Sequence, residues 1–350
     1  MVGNYIELSK VLYISPGFPA NENDSTCIPA LQDFFKELNR NGYGSDIVSL
    51  HYPLESQYSW HGHQVNALGW SNPSKLKKVR LLKKAINAIT NDYRLKKVEL
   101  IHSFWMTDAS YIASKVALNL KVPHVVTVMG QDVNKSVYSD QIVKGDLQLV
   151  TLSTFQQKLV NKNLQASELI PWGIDKNDFN LIGEKTIDLI TVGSLIDLKQ
   201  AYQTIELVAN LVELIPEIQA VIVGEGQNRN KLEDLISQKS LSKQVTLVGE
   251  KSRAETLALI AKSKILFHPS SYEGFGMTLI EGLAAGAFVV SYQTGATLDL
   301  DEVKSVRDFT EAETNIKQLL LGAETAEPTF PMLISDTVSQ YLKLYQEVLI

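Results

Sequence analysis

Two glutamates that stand eight positions apart are the residues of this sequence best suited to bind a ligand. Glu273 and Glu281 lie in the segment HPSSYEGFGMTLIEGLAAGAFVVS, residues 268–291. Its pattern predicts a short buried strand, then a glycine-broken loop that carries Glu273. A helix is expected from about Thr278, closed by Gly286. Both carboxylates should then face the carboxyl end of a strand, where open α/β sheets bind ligands.

The start of the predicted helix adds groups that suit a phosphate. Its first N–H groups lack helical partners and lie at the positive end of the helix dipole. A carboxylate repels phosphate but accepts hydrogen bonds from sugar hydroxyls, so the segment indicates a nucleotide sugar. The alternative is an ordinary strand–loop–helix unit, with Glu273 in solvent and Glu281 complementing the dipole. Gly274, Gly276 and Gly286 around the pair argue against that alternative.

This segment resembles the C-terminal signature of retaining glycosyltransferases of the GT-B fold, especially glycosyltransferase family 4. The family pattern is Glu, seven residues, Glu, then a small-residue helix and an apolar strand, as from Glu273 onward here. The resemblance implies that Glu281 holds the ribose hydroxyls and Glu273 a donor-sugar hydroxyl, with phosphate on backbone N–H groups of 276–278. The implied donor-binding stretch comprises Gly274, Phe275, Gly276, Met277 and Thr278.

The segment VGSLIDLKQ, residues 192–200, resembles a second family motif, in which an Arg and a Lys contact the leaving diphosphate. Ser194 occupies the Arg position and Lys199 the Lys position. The resemblance implies that Lys199 is catalytic together with Glu273, because a cation there neutralises the charge that grows on the diphosphate. Taken alone, Lys199 would be better explained as a solvated lysine at a helix start, but the match of the surrounding motif favours the catalytic role. Ser194 would donate one hydrogen bond in place of a charge.

Three further loops complete the donor site that the resemblance implies. Gly224 and Gly226 form a Gly-Glu-Gly turn like the one that lies beside the nucleotide in the family. Arg253 ends a loop that would flank the base. Gly17 follows the first strand, at the place where GT-B enzymes approach the donor diphosphate. The donor is a substrate, and no cofactor is predicted.

The predicted acceptor side lies in the N-terminal half. His102, Gln131 and Asp132 stand at or near the ends of predicted strands, and Met129 takes the place of a His that is usual in the family. The His-Gly-His sequence at 61–63 has no carboxylate or thiol partner, so we interpret these histidines as loop residues and predict no metal site.

The composition is that of a globular protein rather than a fibrous or disordered one. The chain has 350 residues, 45% of them hydrophobic, and a single cysteine, Cys27, which excludes internal disulfides. The N-terminal residues lack the features of a signal peptide, and no apolar run is long enough to span a membrane. We therefore expect a cytoplasmic protein, with peripheral attachment to the inner face of the plasma membrane as an addition.

A basic segment, residues 74–97, predicts a surface helix. Leu76, Val79, Leu82, Ile86 and Ile89 recur at helical spacing among lysines and arginines. The simpler interpretation is that this stripe packs on its own domain. The basic face could in addition rest on anionic lipid headgroups. Nucleic acid is not an expected partner, because the protein has a net charge of −6 and no aromatic residues interleave with the basic ones.

Strands alternate with helices in two successive runs, which predicts parallel sheets. The expected fold class is α/β of the GT-B type, with two Rossmann-like domains whose parallel sheets face each other across a cleft. We place the N-terminal acceptor-side domain at residues 1–170 and the nucleotide-sugar domain at 171–330. The terminal helix, 331–350, is expected to pack back on the first domain.

The sequence thus favours a metal-independent, retaining hexosyltransferase. It would move a hexose from a nucleotide diphosphate sugar to a sugar or lipid-linked hydroxyl acceptor, in cell-surface polysaccharide or glycolipid synthesis. The alternative is a degenerate protein of the same fold that binds a nucleotide sugar or regulates a partner without turnover. A third hypothesis keeps the donor site but has the chain epimerise or hydrolyse the sugar nucleotide.

Overall fold

The computed structural model describes residues 10–71, 74–132, 142, 147–180 and 184–350. The chain divides into two compact units. Unit 1 contains residues 1–152, 156–172 and 334–350, and unit 2 contains residues 153–155 and 173–333. The helix near the end of the chain therefore belongs to the same unit as the first strands.

Unit 1 is an α/β structure around one sheet. Its strands are β1 (Val11–Gly17), β2 (Asp46–Tyr52), β3 (Ser56–Trp60), β4 (His63–Ala67), β5 (Leu100–Phe104), β6 (His124–Thr127), β7 (Leu147–Thr151) and β8 (Ser167–Leu169). They lie in the order β3-β4-β2-β1-β5-β6-β7-β8, and β3 runs antiparallel to its neighbour β4 while the other pairs are parallel. The connecting helices are α1 (Pro29–Arg40), α2 (Lys75–Leu95), α3 (Asp108–Leu120) and α4 (Thr154–Asn163).

The His-Gly-His sequence at 61–63, interpreted as part of a loop, lies in a β-hairpin, and that interpretation is wrong for His63, the first residue of β4. The hairpin is formed by β3 and β4, with Trp60 paired to His63. His61 and Gly62 make a two-residue turn with φ of +40° and +82°, the conformation that matches the twist of paired strands. The buried ring of His63 lies with Nε2 2.8 Å from the carbonyl oxygen of Phe35.

Helix α2 buries only part of its predicted apolar stripe. Leu82 and Ile89 are buried against the residues of α3, as expected, but Leu76 is 81% exposed and Val79 is 52% exposed. The burial prediction is wrong for these two residues. The first turn of α2 reaches α3 through the ion pair of Lys78 with Asp108, and the buried face of α2 begins only at Leu82. Along the described ranges, no helix has both the length and the apolar character needed to cross a bilayer.

Unit 2 is a second α/β structure with a fully parallel sheet. Its strands are β9 (Ile187–Val192), β10 (Ala220–Val223), β11 (Val245–Gly249), β12 (Ser263–His268), β13 (Phe288–Tyr292) and β14 (Lys304–Val306). Its helices are α5 (Tyr202–Leu211), α6 (Arg229–Gln238), α7 (Arg253–Ala261), α8 (Met277–Ala284) and α9 (Phe309–Leu321). The four central strands, β10, β9, β12 and β13, are mostly apolar and buried, as expected for a parallel sheet covered by helices on both faces.

The order of the strands in unit 2 predicts where a ligand binds. The order is β11-β10-β9-β12-β13-β14, so the chain leaves β9 in one direction and returns to its other side at β12. Open α/β sheets bind ligands outside the carboxyl ends of the strands at such a reversal. The loops that follow β9 and β12 carry Lys199 and Glu273.

Helix α10 (Ile334–Val348) is bound to the sheet of unit 1 by buried side chains. His102 Nδ1 lies 2.6 Å from the hydroxyl of Tyr345, and its Nε2 lies 2.8 Å from that of Thr127, which is 2.7 Å from the hydroxyl of Tyr341. Burial holds the pKa of His102 well below its usual range. With both ring nitrogens engaged and no exposed surface, His102 is a core residue, and its predicted acceptor contact is wrong.

Candidate functional site

Lys199 and Glu273 form an ion pair at the strand reversal of unit 2. Oε1 of Glu273 accepts a hydrogen bond from Nζ of Lys199, and Nε2 of His268 lies 2.9 Å from the same oxygen. The side chains are exposed by 24% at Lys199, 13% at Glu273 and 3% at His268. The structure thus brings together the two residues predicted to be catalytic and adds a buried histidine.

The environment of Glu273 keeps its carboxyl group ionised. Burial by itself raises the pKa, but the hydrogen bond and charge of His268 and the cation of Lys199 outweigh it and lower the pKa to about 2. An ionised carboxylate is only an acceptor of hydrogen bonds. Glu273 is therefore suited to hold hydroxyl groups at neutral pH and not to donate a proton.

Backbone packing positions the loop of Lys199. Lys199 does not stand at a helix start, because α5 begins at Tyr202 and Lys199 ends a 3₁₀ turn, Asp197–Lys199. The Gly224 turn packs directly on this loop, so that a Cβ at Gly224 would overlap the carbonyl oxygen of Gly193. A Cβ at Gly226 would lie 2.5 Å from the carbonyl oxygen of Leu195. The two glycines are therefore needed for this close approach, and their predicted contact with the nucleotide stays a prediction.

The loop between Glu273 and α8 is fixed from both sides. Ser153 Oγ donates to the carbonyl oxygen of Gly274 at 2.6 Å, and the carbonyl of Phe275, whose side chain is buried, accepts from the N–H of Ala296 at 2.7 Å. Gly276 precedes α8 with φ of +91°, a conformation that favours glycine.

Helix α8 places its first turn beside the Glu273 loop. It begins at Met277, one residue before the predicted start, and Gly286 follows it with φ of +67°, as expected for a helix end. The Thr278 hydroxyl lies 3.1 Å from Nδ1 of His268. The N–H group of Leu279 donates to the carbonyl oxygen of Gly276 at 2.9 Å, so the N–H groups of Met277 and Thr278 are the ones at this helix start that a phosphate could use.

Glu281, whose side chain is buried, belongs to a second charge cluster. Its Oε1 lies 3.4 Å from Nη1 of Arg253, whose Nε is 3.5 Å from Asp178 Oδ2. Burial raises the pKa of Glu281, the charge of Arg253 lowers it and that of Asp178 raises it, with a net increase. Arg253, predicted at the end of a loop, is the first residue of α7, behind a capping box formed by Ser252 and Glu255.

The remaining predicted site residues lie elsewhere. Ser194 is exposed at the start of the Lys199 loop, and Gly17 ends β1 in unit 1. Gln131 is half-buried in the turn after β6. The carboxylate of Asp132 accepts from the N–H groups of Met106 and Gly130, both at 2.7 Å. Asp132 therefore holds the backbone of two loops together. Burial raises the pKa of Asp132 and these donors lower it, with a net increase.

Two residues of the site were missed by the sequence reasoning. His268 was quoted only as the start of a motif, although its position at the end of a buried strand was a usable signal. Asp178 follows the Pro-Trp-Gly segment and carries no pattern that relates it to Arg253. In the described ranges, no group of three or more His, Cys, Asp or Glu side chains is arranged to hold a metal ion.

A parallel α/β unit with a Lys–Glu ion pair and a helix N-terminus at its strand reversal belongs to the class of doubly wound α/β proteins, which bind ligands at this place. Two family models match the chain: Glycosyl transferase 4-like over residues 21–170, and Glycosyl transferases group 1 over residues 174–318. Together they cover most of the chain. The protein therefore belongs to the GT-B glycosyltransferases of the group 1, family 4 type, and the predicted family and fold class are confirmed.

Individual relatives are distant. The chain is 24% identical over 235 residues to an uncharacterized glycosyltransferase of Methanocaldococcus jannaschii, covering 64% of this chain and 65% of that protein. It is 26% identical over 166 residues to 2-deoxystreptamine N-acetyl-D-glucosaminyltransferase of Niallia circulans, covering 47% and 40%. The chain thus spans less than two thirds of the length of each of these relatives.

A solved structure extends the similarity of fold to nearly the whole chain. Anabaena HepE, in a crystal structure with UDP, superposes with a TM-score of 0.67 at 15% identity, covering 97% of this chain and 99% of that one.

Proposed function

We propose that this glycosyltransferase is a retaining, metal-independent enzyme that transfers a hexose from a nucleotide diphosphate sugar to a hydroxyl acceptor. The observation that supports it is the Lys199–Glu273 pair at the strand reversal of unit 2, beside the first turn of α8. The carboxylate suits sugar hydroxyls, and the cation and helix terminus suit the diphosphate. Both parts of a nucleotide sugar therefore have complementary groups.

The reaction assigned to these residues is a front-face displacement. The bond between the anomeric carbon and the diphosphate oxygen breaks, and a bond to the acceptor oxygen forms on the same face. The acceptor proton passes to the departing diphosphate oxygen. Lys199 has three N–H donors, so it can keep its bond to Glu273 while it neutralises charge on the diphosphate. In this scheme Lys199 and α8 replace a metal ion, and activity should survive addition of EDTA.

The nucleotide is placed by the second cluster. Glu281, oriented by Arg253, is assigned to the ribose hydroxyls, and the Arg253 end of α7 to the side of the base. HepE is solved with UDP, and the Niallia circulans relative is named as an N-acetylglucosaminyltransferase. UDP-hexoses, UDP-N-acetylglucosamine among them, are therefore the first donors to test. Gln131 and Asp132 remain the predicted acceptor-side residues.

Exposed residues of α2 support a role at a membrane surface, with a lipid-linked acceptor in cell-surface polysaccharide or glycolipid synthesis. Leu76 and Val79 are exposed between Lys75, Lys77 and Arg80. Basic residues near an anionic bilayer contribute about 1 kcal/mol each, and exposed apolar side chains add insertion into the headgroup region. We propose that this face binds anionic lipid.

A thermal-shift screen with UDP, GDP, ADP, dTDP and their sugar conjugates tests the proposal. A ligand at about a hundred times its dissociation constant adds roughly 2.7 kcal/mol of stability. We expect one nucleotide family to stabilise the protein, followed by transfer of labelled sugar to an acceptor. Binding without transfer to any acceptor would favour the non-catalytic alternative, for which the exposed Ser194 in place of an Arg is the motivating feature. No stabilisation by any nucleotide would contradict a donor site. Release of free sugar or an epimer without acceptor would support the third hypothesis.

A further inference from the structure

His268 is buried between the two halves of the proposed donor site. It ends β12, and its side chain is 3% exposed. Nε2 lies 2.9 Å from Oε1 of Glu273, and Nδ1 lies 3.1 Å from Oγ1 of Thr278. The ring therefore joins the carboxylate assigned to the sugar to the first turn of the helix assigned to the phosphate.

The partners of the ring define its tautomer. The carboxylate of Glu273 can only accept, so in a neutral imidazole Nε2 carries the proton. Nδ1 is then an acceptor, and the hydroxyl of Thr278 donates to it. This arrangement satisfies both nitrogens of a buried ring, whose unmade hydrogen bonds would be costly.

The contacts on Glu273 are asymmetric. His268 and Lys199 both act on Oε1, and no residue in the described ranges donates a hydrogen bond to Oε2. Two donors on one oxygen fix the rotation of the carboxyl group and leave its second oxygen for a ligand. Lys199 must also serve the diphosphate, whereas His268 is committed to Glu273.

We propose that His268 is a positioning residue, which through Thr278 and Glu273 aims the free carboxylate oxygen at the donor sugar. This inference rests on the proposed function and adds that His268 affects binding of one part of the donor only. His268 sets the affinity for the sugar part of the donor and the rate of transfer, and it leaves the affinity for the nucleotide part unchanged.

Isothermal titration calorimetry of His268→Ala and His268→Gln tests the proposal. The two ligands are UDP and a UDP-sugar, either UDP-glucose or UDP-N-acetylglucosamine, whichever the wild type binds. The alanine variant should bind UDP within about twofold of wild type, lose about tenfold or more in sugar-dependent affinity, and lose turnover at saturating donor. The glutamine variant, whose side-chain amide can donate to Glu273, should keep most of the sugar-dependent affinity and most of the turnover. His51→Ala, at an exposed histidine of unit 1, is the control and should match wild type.

Several results would overturn the proposal. His268→Ala with wild-type sugar affinity and turnover would do so, and so would a glutamine variant as impaired as the alanine variant. Wild-type protein that binds no nucleotide would instead contradict the proposed function. If His268→Ala does not fold, nitrogen NMR of ¹⁵N-histidine protein decides without substrate. The His268 signals should show the proton on Nε2, and Thr278→Val should shift the Nδ1 signal. A proton on Nδ1 in the wild type would refute the arrangement.

Discussion

Lys199 and Glu273 are separated by 74 positions in the sequence, yet their side chains form an ion pair. Each follows a different strand, β9 or β12, and these strands are neighbours only because the chain reverses its course across the sheet. A cation and an acceptor that are both largely buried are thereby held at the place where the fold binds ligands.

Removal of the cation at 199 should lower turnover strongly. Lys199→Ala takes away the charge assigned to the leaving diphosphate, and we expect a decrease of about 100-fold or more in kcat. Lys199→Arg keeps the charge and should retain part of the activity. Initial rates with saturating donor measure the effect. Equal activity in Lys199→Ala and wild type would contradict the assignment.

Glu273 should make the free energy of unfolding depend on pH in the acid range. Its pKa is lowered from 4.5 to about 2, so the ionised group stabilises the fold above pH 4.5, and this contribution is lost as the pH falls toward about 2. Glu273→Gln should therefore cost up to about 3 kcal/mol at neutral pH. The difference from wild type in urea unfolding should shrink below pH 4.5. A difference that does not change with pH would oppose this account.

Glu281 should have the opposite effect on stability from Glu273, although it is assigned an important part in nucleotide binding. Because burial raises its pKa, the ionised group opposes folding above pH 4.5, and Glu281→Gln should not lower stability at neutral pH. Glu281→Ala should nevertheless weaken nucleotide binding by about 10- to 100-fold, since it removes a charged acceptor. Isothermal titration measures the affinity, with Glu313→Ala of α9 as a matched carboxylate control. Wild-type affinity in Glu281→Ala would remove Glu281 from the site.

Ser194 allows a gain-of-function experiment. It is exposed at the start of the Lys199 loop and occupies the position where the family pattern has an Arg. Ser194→Arg should add a charge-assisted contact to the diphosphate and tighten UDP binding by about tenfold. Ser194→Ala is the control and should bind only slightly less tightly than wild type. Weaker binding in the Arg variant would show that this loop does not face the diphosphate.

The exposed basic face of α2 should determine lipid binding. Lys77→Glu with Arg80→Glu should weaken cosedimentation with phosphatidylglycerol vesicles by about 30-fold or more, at about 1 kcal/mol for each basic residue lost. The control pair Lys243→Glu and Lys317→Glu makes the same change of charge in unit 2. Phosphatidylcholine vesicles should bind none of the variants well. An equal loss of vesicle binding in both double variants would show that net charge alone, and not this face of α2, determines lipid binding.

Much of the secondary structure of unit 2 could be predicted because each strand, loop and helix is indicated by residues within the element itself. The strand, loop and helix around Glu273 each have their own periodicity and glycine signals, and the structure has them within a few residues of the expected bounds. The partners of Glu273 could not be found in this way, since contact between Lys199, His268 and Glu273 depends on the order of strands in a sheet.

The errors in unit 1 also have physical causes. The turn at His61 and Gly62 is a hairpin type that usually contains Asn-Gly, so its signal was weak. Periodicity within α2 indicates an apolar stripe but not which of its residues meet α3, so the exposure of Leu76 could not be predicted. His102 ends a predicted strand as a site residue would, but the strand continues to Phe104, and α10 covers His102 from more than two hundred positions away.

The contact of α10 with His102 has a consequence for the order of folding during synthesis. Unit 1 begins with the first strands but contains residues 334–350, so it is a discontinuous folding unit. The residues of unit 2 have all been synthesised at residue 333. Unit 1 can therefore complete its core only after all of unit 2 has been synthesised, because the buried aromatic face around Tyr13, Phe34 and His102 must wait for α10.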